Sequence, residues 1–89
     1  MAGQPVTESS TMVNLTATAA ITTIPAQLLG FYVNSTTSGT IVLKDGGTSG
    51  VAVCGTITPA IGFHAFPGVF TKSIHATIGG TLDVTFFYQ

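Results

Sequence analysis

A chain of 89 residues whose only cations are Lys44 and Lys72 cannot form a basic stripe that neutralises a phosphate backbone, which argues against nucleic acid as a partner. Charged residues make up 6% of the sequence, against roughly 25% in an average globular chain, while the apolar content of 45% is ordinary. Thr, Ser, Gly and Asn therefore stand where Lys, Glu and Arg usually do, and with a net charge of −1 the composition favours association over colloidal solubility.

The length predicts one domain with a small core. Residues 1–10 hold Gly3, Pro5 and small polar side chains without apolar periodicity, and read as an extended N-terminal arm ahead of a single domain over 11–89. The N-terminus lacks the basic region and apolar run of a signal peptide. From Thr11 to Thr22 the residues Val13, Leu15, Ala17, Ala19 and Ile21 alternate with polar ones, predicting a strand. Pro25 breaks the pattern. Gln27 to Asn34 resumes it, with Leu29, Phe31 and Val33 on one face and Leu28 and Tyr32 on the other, as in a central strand or one beneath a subunit contact. The span Leu15 to Val33 is long enough to cross a bilayer, but four Thr, Pro25 and Gln27 within it, with no flanking Lys or Arg, argue against a membrane segment.

Ser35 to Gly39 reads as a turn leading to a strand over Thr40 to Lys44, and the cluster from Asp45 to Gly50 reads as another turn before a strand over Val51 to Ile57. Phe63 to Phe66 is a short strand stopped by Pro67 and Gly68. The last stretch, Lys72 to Tyr88, reads as a β-hairpin about Gly79 and Gly80. Ile74, Ala76 and Ile78 form the dry face of its first arm, and Leu82, Val84, Phe86 and Tyr88 that of its second. A two-residue loop would set core residues against solvent residues, so a longer connection or a bulge is expected there. About seven short strands with regularly spaced turn signals predict an all-β fold, a compact antiparallel β-sandwich or small jelly roll.

Little in the chain points to chemistry. His64, between Phe63 and Phe66, reads as a partly buried, satisfied histidine; His75 falls on the polar face of the closing hairpin, near Thr85 and a diagonal step from Asp83, a candidate pH-sensitive pair. Cys54 stands alone, without a disulfide partner or a thiol metal site, and reads as a small core side chain. Neither the spacing of His64, His75 and Asp83 nor the glycine pairs match a metal or phosphate site, so no catalytic residue, metal or cofactor is expected. Asn14-Leu15-Thr16 and Asn34-Ser35-Thr36 match the glycosylation pattern and read as accidents of a Thr-rich sequence. Tyr32, Phe70 and Phe87 are the candidate subunit-interface residues, because aromatics on a strand's wet face either close a second layer or mark a contact.

The runs GFYVNST from Gly30 to Thr36, GTIVLKDG from Gly39 to Gly46, FPG from Phe66 to Gly68 and IHATIGGTLDVTFFY from Ile74 to Tyr88 resemble small virion proteins of tailed bacteriophages, of the head decoration or cement type. The resemblance spans about Leu29 to Tyr88, and no family site residue carries over. It implies a non-enzymatic structural protein, made in the host cytoplasm and located on the capsid surface of the virion, that assembles as a homotrimer and clamps the major capsid protein. The competing reading is a tail- or fibre-associated β-sandwich module that touches host surface glycans through Tyr32, Phe70 or Phe87.

Overall fold

The computed structural model describes residues 10–89, so the arm expected over 1–10 lies, apart from Ser10, outside the described residues. Among the described residues six strands follow one another without a helix: β1 (Thr11–Leu15), β2 (Ala19–Ala20), β3 (Ala26–Asp45), β4 (Val51–Ala52), β5 (Gly62–Phe70) and β6 (Ile74–Tyr88). Every pairing is antiparallel. The two long strands β3 and β6 lie side by side at the centre. The first half of β3 and the second half of β6 are flanked by β5 and β1, and the other two halves by β4 and β2. The fold is thus all-β and antiparallel, a single six-stranded sheet. Both halves feed one apolar cluster that includes Leu28, Phe31, Val33, Ile41, Leu43, Ile74, Val84 and Phe86, a sandwich-like arrangement.

The closing segment corrects the expected hairpin. Ile74 to Tyr88 is one continuous strand, paired along its whole length with β3 and not folded back on itself. Parity explains why: Ile74, Ala76, Ile78, Leu82, Val84, Phe86 and Tyr88 all sit at even positions, so a single unbroken pleat points every one of them to the same side. The expected turn at Ser35 to Gly39 is likewise absent, because those residues run on within β3. In its place β3 carries three bulges, after Leu28, after Val33 and after Thr37, each giving it one residue more than β6. A bulge reverses which parity faces inward. Leu28 therefore opposes Tyr88, Phe31 opposes Phe86, Val33 opposes Val84 and Ile41 opposes Ile78, so the inward residues of β3 follow those of β6. The first bulge also explains how Leu28 and Phe31 both reach the core from a stretch that reads as apolar on two faces.

Two smaller departures have the same local character. The strand expected over Thr11 to Thr22 breaks after Leu15 and resumes only at Ala19, although Val13, Leu15 and Ile21 still pack on the core, and Ala17 is exposed. The strand expected over Val51 to Ile57 shrinks to Val51–Ala52 plus a bridge from Ile57 to Ile41, because Val51, Ala52 and Val53 are all exposed while Cys54 and Ile57 turn inward. Pro67, in contrast, does not stop β5. Among the described residues the strand pairs on one side only, with β3, and a missing N–H is tolerated at such an edge.

At the third bulge the backbones of β3 and β6 approach closely. Gly80 has φ +65°, and a Cβ on it would lie 2.3 Å from the carbonyl oxygen of Ser38. Ser38 itself is left-handed, with φ 55°. Gly80→Ala is expected to destabilise the fold by about 1–3 kcal/mol in chemical denaturation, since backbone strain and a backbone clash act together. Gly55→Ala, with nothing within 4 Å of the added carbon, is expected to stay within about 0.5 kcal/mol of wild type.

Candidate functional site

The pleat that fills the core leaves alternate side chains on the outer face of the half-sheet β1-β6-β3-β5. Register aligns them in rows across four strands: Asn14, Thr85, Tyr32 and Phe63 form one, and Met12, Phe87, Gly30 and Ala65 the next. The rows carry an aromatic quarter and a polar quarter. In the aromatic quarter Phe63 meets Phe87 edge-on, with ring centroids 6.0 Å apart at 66°. Gly30 makes room for this, because a Cβ there would lie 2.9 Å from the tip of the Phe63 ring and 2.6 Å from the His64 carbonyl oxygen.

In the polar quarter Asp83 organises two amides. Asn14 Nδ2 donates to Asp83 Oδ1 at 2.8 Å and Asn34 Nδ2 to the same oxygen at 3.2 Å, and both also donate to Thr85 Oγ1, at 3.1 and 3.2 Å. A carboxylate accepts only, so the NH2 end of each amide must face it and the Oδ1 end faces away. Among the described residues no donor approaches Asp83 Oδ2, Asn14 Oδ1 or Asn34 Oδ1. Both asparagines belong to the two glycosylation-pattern triplets.

The expected interface residues are divided by the structure. Tyr32 is 43% exposed on this face, and Phe87 is half-buried beside Phe63. Phe70 is not on it. At 3% exposure it belongs to the core, because the last residue of β5 turns inward where it pairs with Ala26. Asn14, Asn34, Asp83 and Phe63 were not legible as site residues, since what unites them is the adjacency of β1, β6, β3 and β5, which no local pattern encodes. Only their wet-face parity marks them.

The histidines lie apart. His64 sits half-buried on β5, its Nε2 2.8 Å from the Ala60 carbonyl oxygen and its ring 5.3 Å from that of Phe31, a satisfied side chain against the core. His75 corrects the expectation of an exposed imidazole near Asp83. It is 5% exposed at the other end of the sheet, between Ala20 and Lys44, with Nε2 3.4 Å from Thr48 Oγ1 and no partner for Nδ1. Burial and the neighbouring Lys44 ammonium both hold its pKa below the usual 6.5. Cys54 is a free, half-buried thiol packed on the core. No group of three or more His, Cys, Asp or Glu that could hold a metal ion occurs among the described residues.

Asp45 does structural work near His75. Its Oδ2 accepts the Thr71 N–H at 2.9 Å and the Thr71 hydroxyl at 3.0 Å, and its Oδ1 accepts the N–H groups of Lys72 at 2.9 Å and Ser73 at 3.3 Å. The Thr71 N–H foremost, then those of Lys72 and Ser73, outweigh desolvation and lower the carboxyl from 3.8 to about 2. The connection from β5 to β6 is pinned by one side chain. An open depression is lined by Ile21, Thr22, Ile24, Pro25, Tyr88 and Gln89. Comparison with protein-family models, with curated proteins and with solved structures finds no match for this chain.

Acid is expected to weaken the fold in two steps. His75 binds its proton more readily unfolded than folded, so its contribution is complete above about pH 6.5 and declines as pH falls below that value. Asp45 contributes fully above about pH 3.8, and its contribution is lost as pH falls through about 2. Thermal melts across the acid range should show the first step vanish in His75→Leu and the second in Asp45→Asn. In the same assay Phe70→Ala is expected to cost about 3–5 kcal/mol, as for a core aromatic, and Tyr32→Ala no more than about 0.5 kcal/mol.

Proposed function

We propose that this chain is a non-enzymatic structural protein of a virion, a capsid decoration or cement protein that assembles with copies of itself and holds neighbouring major capsid subunits together. The observation that carries the reading is the absence of charge at the sheet's two outer edges. No Asp, Glu, Lys or Arg occurs between Glu8 and Lys44, the stretch that contains β1, or between Asp45 and Lys72, the stretch that contains β5. Among the described residues both strands pair on one side only. Edge strands of solitary proteins are blunted by Lys, by inward charges or by proline. Here β5 has Pro67, and β1 has none of these devices.

The exposed apolar side chains support the same reading. Met12 on β1, Val51 on β4, Val69 on β5 and Ile61 beside it are each more than half exposed. Covering such a surface desolvates few ions, so many modest contacts accumulate without the penalty that burying charges imposes. The resemblance of the Gly30 to Thr36 and Ile74 to Tyr88 runs to phage head proteins supplies the kind of shell; the edges supply the manner of attachment.

Electron cryomicroscopy of particles carrying the protein is expected to place it on the outside of the head where capsid subunits meet, and sedimentation of the isolated chain to show an oligomer, a trimer on this reading. Thr11→Lys, on the exposed β1 edge, should weaken association at least tenfold while leaving the melting temperature unchanged. A lasting monomer that binds no capsid would end the proposal.

A further inference from the structure

We infer that the outer face of the half-sheet β1-β6-β3-β5 is a binding site for a neutral oligosaccharide. The inference rests on the acceptor and aromatic cluster of a sheet face, whereas the capsid reading rests on the uncharged sheet edges and on exposed apolar side chains, Met12 of this same face among them. It rests on the juxtaposition of three acceptor oxygens, Asp83 Oδ2, Asn14 Oδ1 and Asn34 Oδ1, with the aromatic side chains Tyr32, Phe63 and Phe87 one or two pleats away.

The acceptors select the ligand's chemistry. Because Asp83 and Thr85 hold both amide nitrogens, the two Oδ1 atoms and the remaining carboxylate oxygen are fixed by the network without being satisfied by it. They call for a ligand that presents several hydroxyl donors at once. The aromatic side calls for an apolar surface of matching size, which the C–H face of a pyranose ring offers to Tyr32 and Phe63, exposed at 43% and 56%. A sugar ring has both features on one small body.

Charge and area exclude the other occupants. An anionic ligand would find Asp83 and no cation, since Lys44 lies opposite His75 on the far half of the sheet and Lys72 follows β5 at the Asp45 connection. Four strands about 4.8 Å apart and about five residues at about 3.3 Å give a face of roughly 300 Å² in projection. A stable protein interface needs about 800 Å² per partner, whereas a short oligosaccharide fits the smaller area.

The test is a nuclear magnetic resonance titration of the full isotope-labelled chain with methyl glycosides of mannose, galactose, glucose and N-acetylglucosamine, and with sialyllactose as the anionic probe. At least one neutral glycoside is expected to shift the side-chain amides of Asn14 and Asn34 and the resonances of Tyr32 and Phe63 saturably, and sialyllactose to bind no better than its neutral core. Tyr32→Ala and Asp83→Ala should each weaken binding at least tenfold, their dispersed spectra showing that the fold persists, while Val69→Ala leaves it unchanged. No saturable shift for any neutral glycoside up to tens of millimolar overturns the proposal. So does binding that survives both substitutions, or broadening of these resonances by self-association that Tyr32→Ala releases, which would give the face to a second copy.

Discussion

The pairing of β3 with β6 governs the rest of the structure. Two strands of unequal length can stay paired only if the longer one absorbs its surplus, and β3 does so in three bulges. Each bulge exchanges the inward and outward parity of β3, so the inward residues stay apolar on both strands from Leu28 opposite Tyr88 to Leu43 opposite Ala76, save Thr36 opposite Leu82. Bulges also bend and twist the strand that carries them. The bending lets two halves of one sheet serve a single cluster, and it ties the core to Gly80, where the backbones come too close for a Cβ.

The few charged groups are spent at particular points of this frame. Asp45 gathers three successive N–H groups and a hydroxyl at the β5–β6 connection, fixing where β6 begins. Lys44 donates to the Thr48 carbonyl oxygen and so holds the loop that covers His75. Asp83 orients two amides on the outer face. With so few ions engaged locally, what remains of the skin is hydroxyls, backbone and apolar side chains, a surface that loses little when it is covered by a neutral partner.

Much of the fold was legible because strand periodicity is a property of neighbours in sequence. The inward set of β6, the all-β class and the partial burial of His64 follow from alternation alone. The topology did not follow, because a glycine pair flanked by alternating runs reads equally as a turn or as a bend in one strand, and only long-range pairing decides. The constant even parity from Ile74 to Tyr88 was the available clue, since an unbroken pleat needs no extra loop residue to keep it. His75 was misread for a related reason: its odd position marks the outer side of β6, but the loop over 46–50 folds across that side and buries it. The outer-face cluster was beyond local reading altogether, since Asn14 and Asp83 lie 69 residues apart in sequence.

Sheet edges and sheet faces are separate resources, and this chain has them in different states. A strand edge presents unpaired backbone groups that a neighbouring strand satisfies in a line, while the face beside it keeps its side chains in solvent. Association of copies along β1 or β5 therefore leaves Tyr32, Asn14 and Asp83 open and repeats them at a fixed spacing. A small, shallow face with three acceptors holds one sugar weakly, because little area and few hydrogen bonds offset the loss of ligand freedom. Repetition on one particle changes that arithmetic, since each further site binds at the effective concentration set by the first. On these two proposals a neutral skin serves both ends: uncharged edges allow the array to form, and the array makes a weak face adhesive.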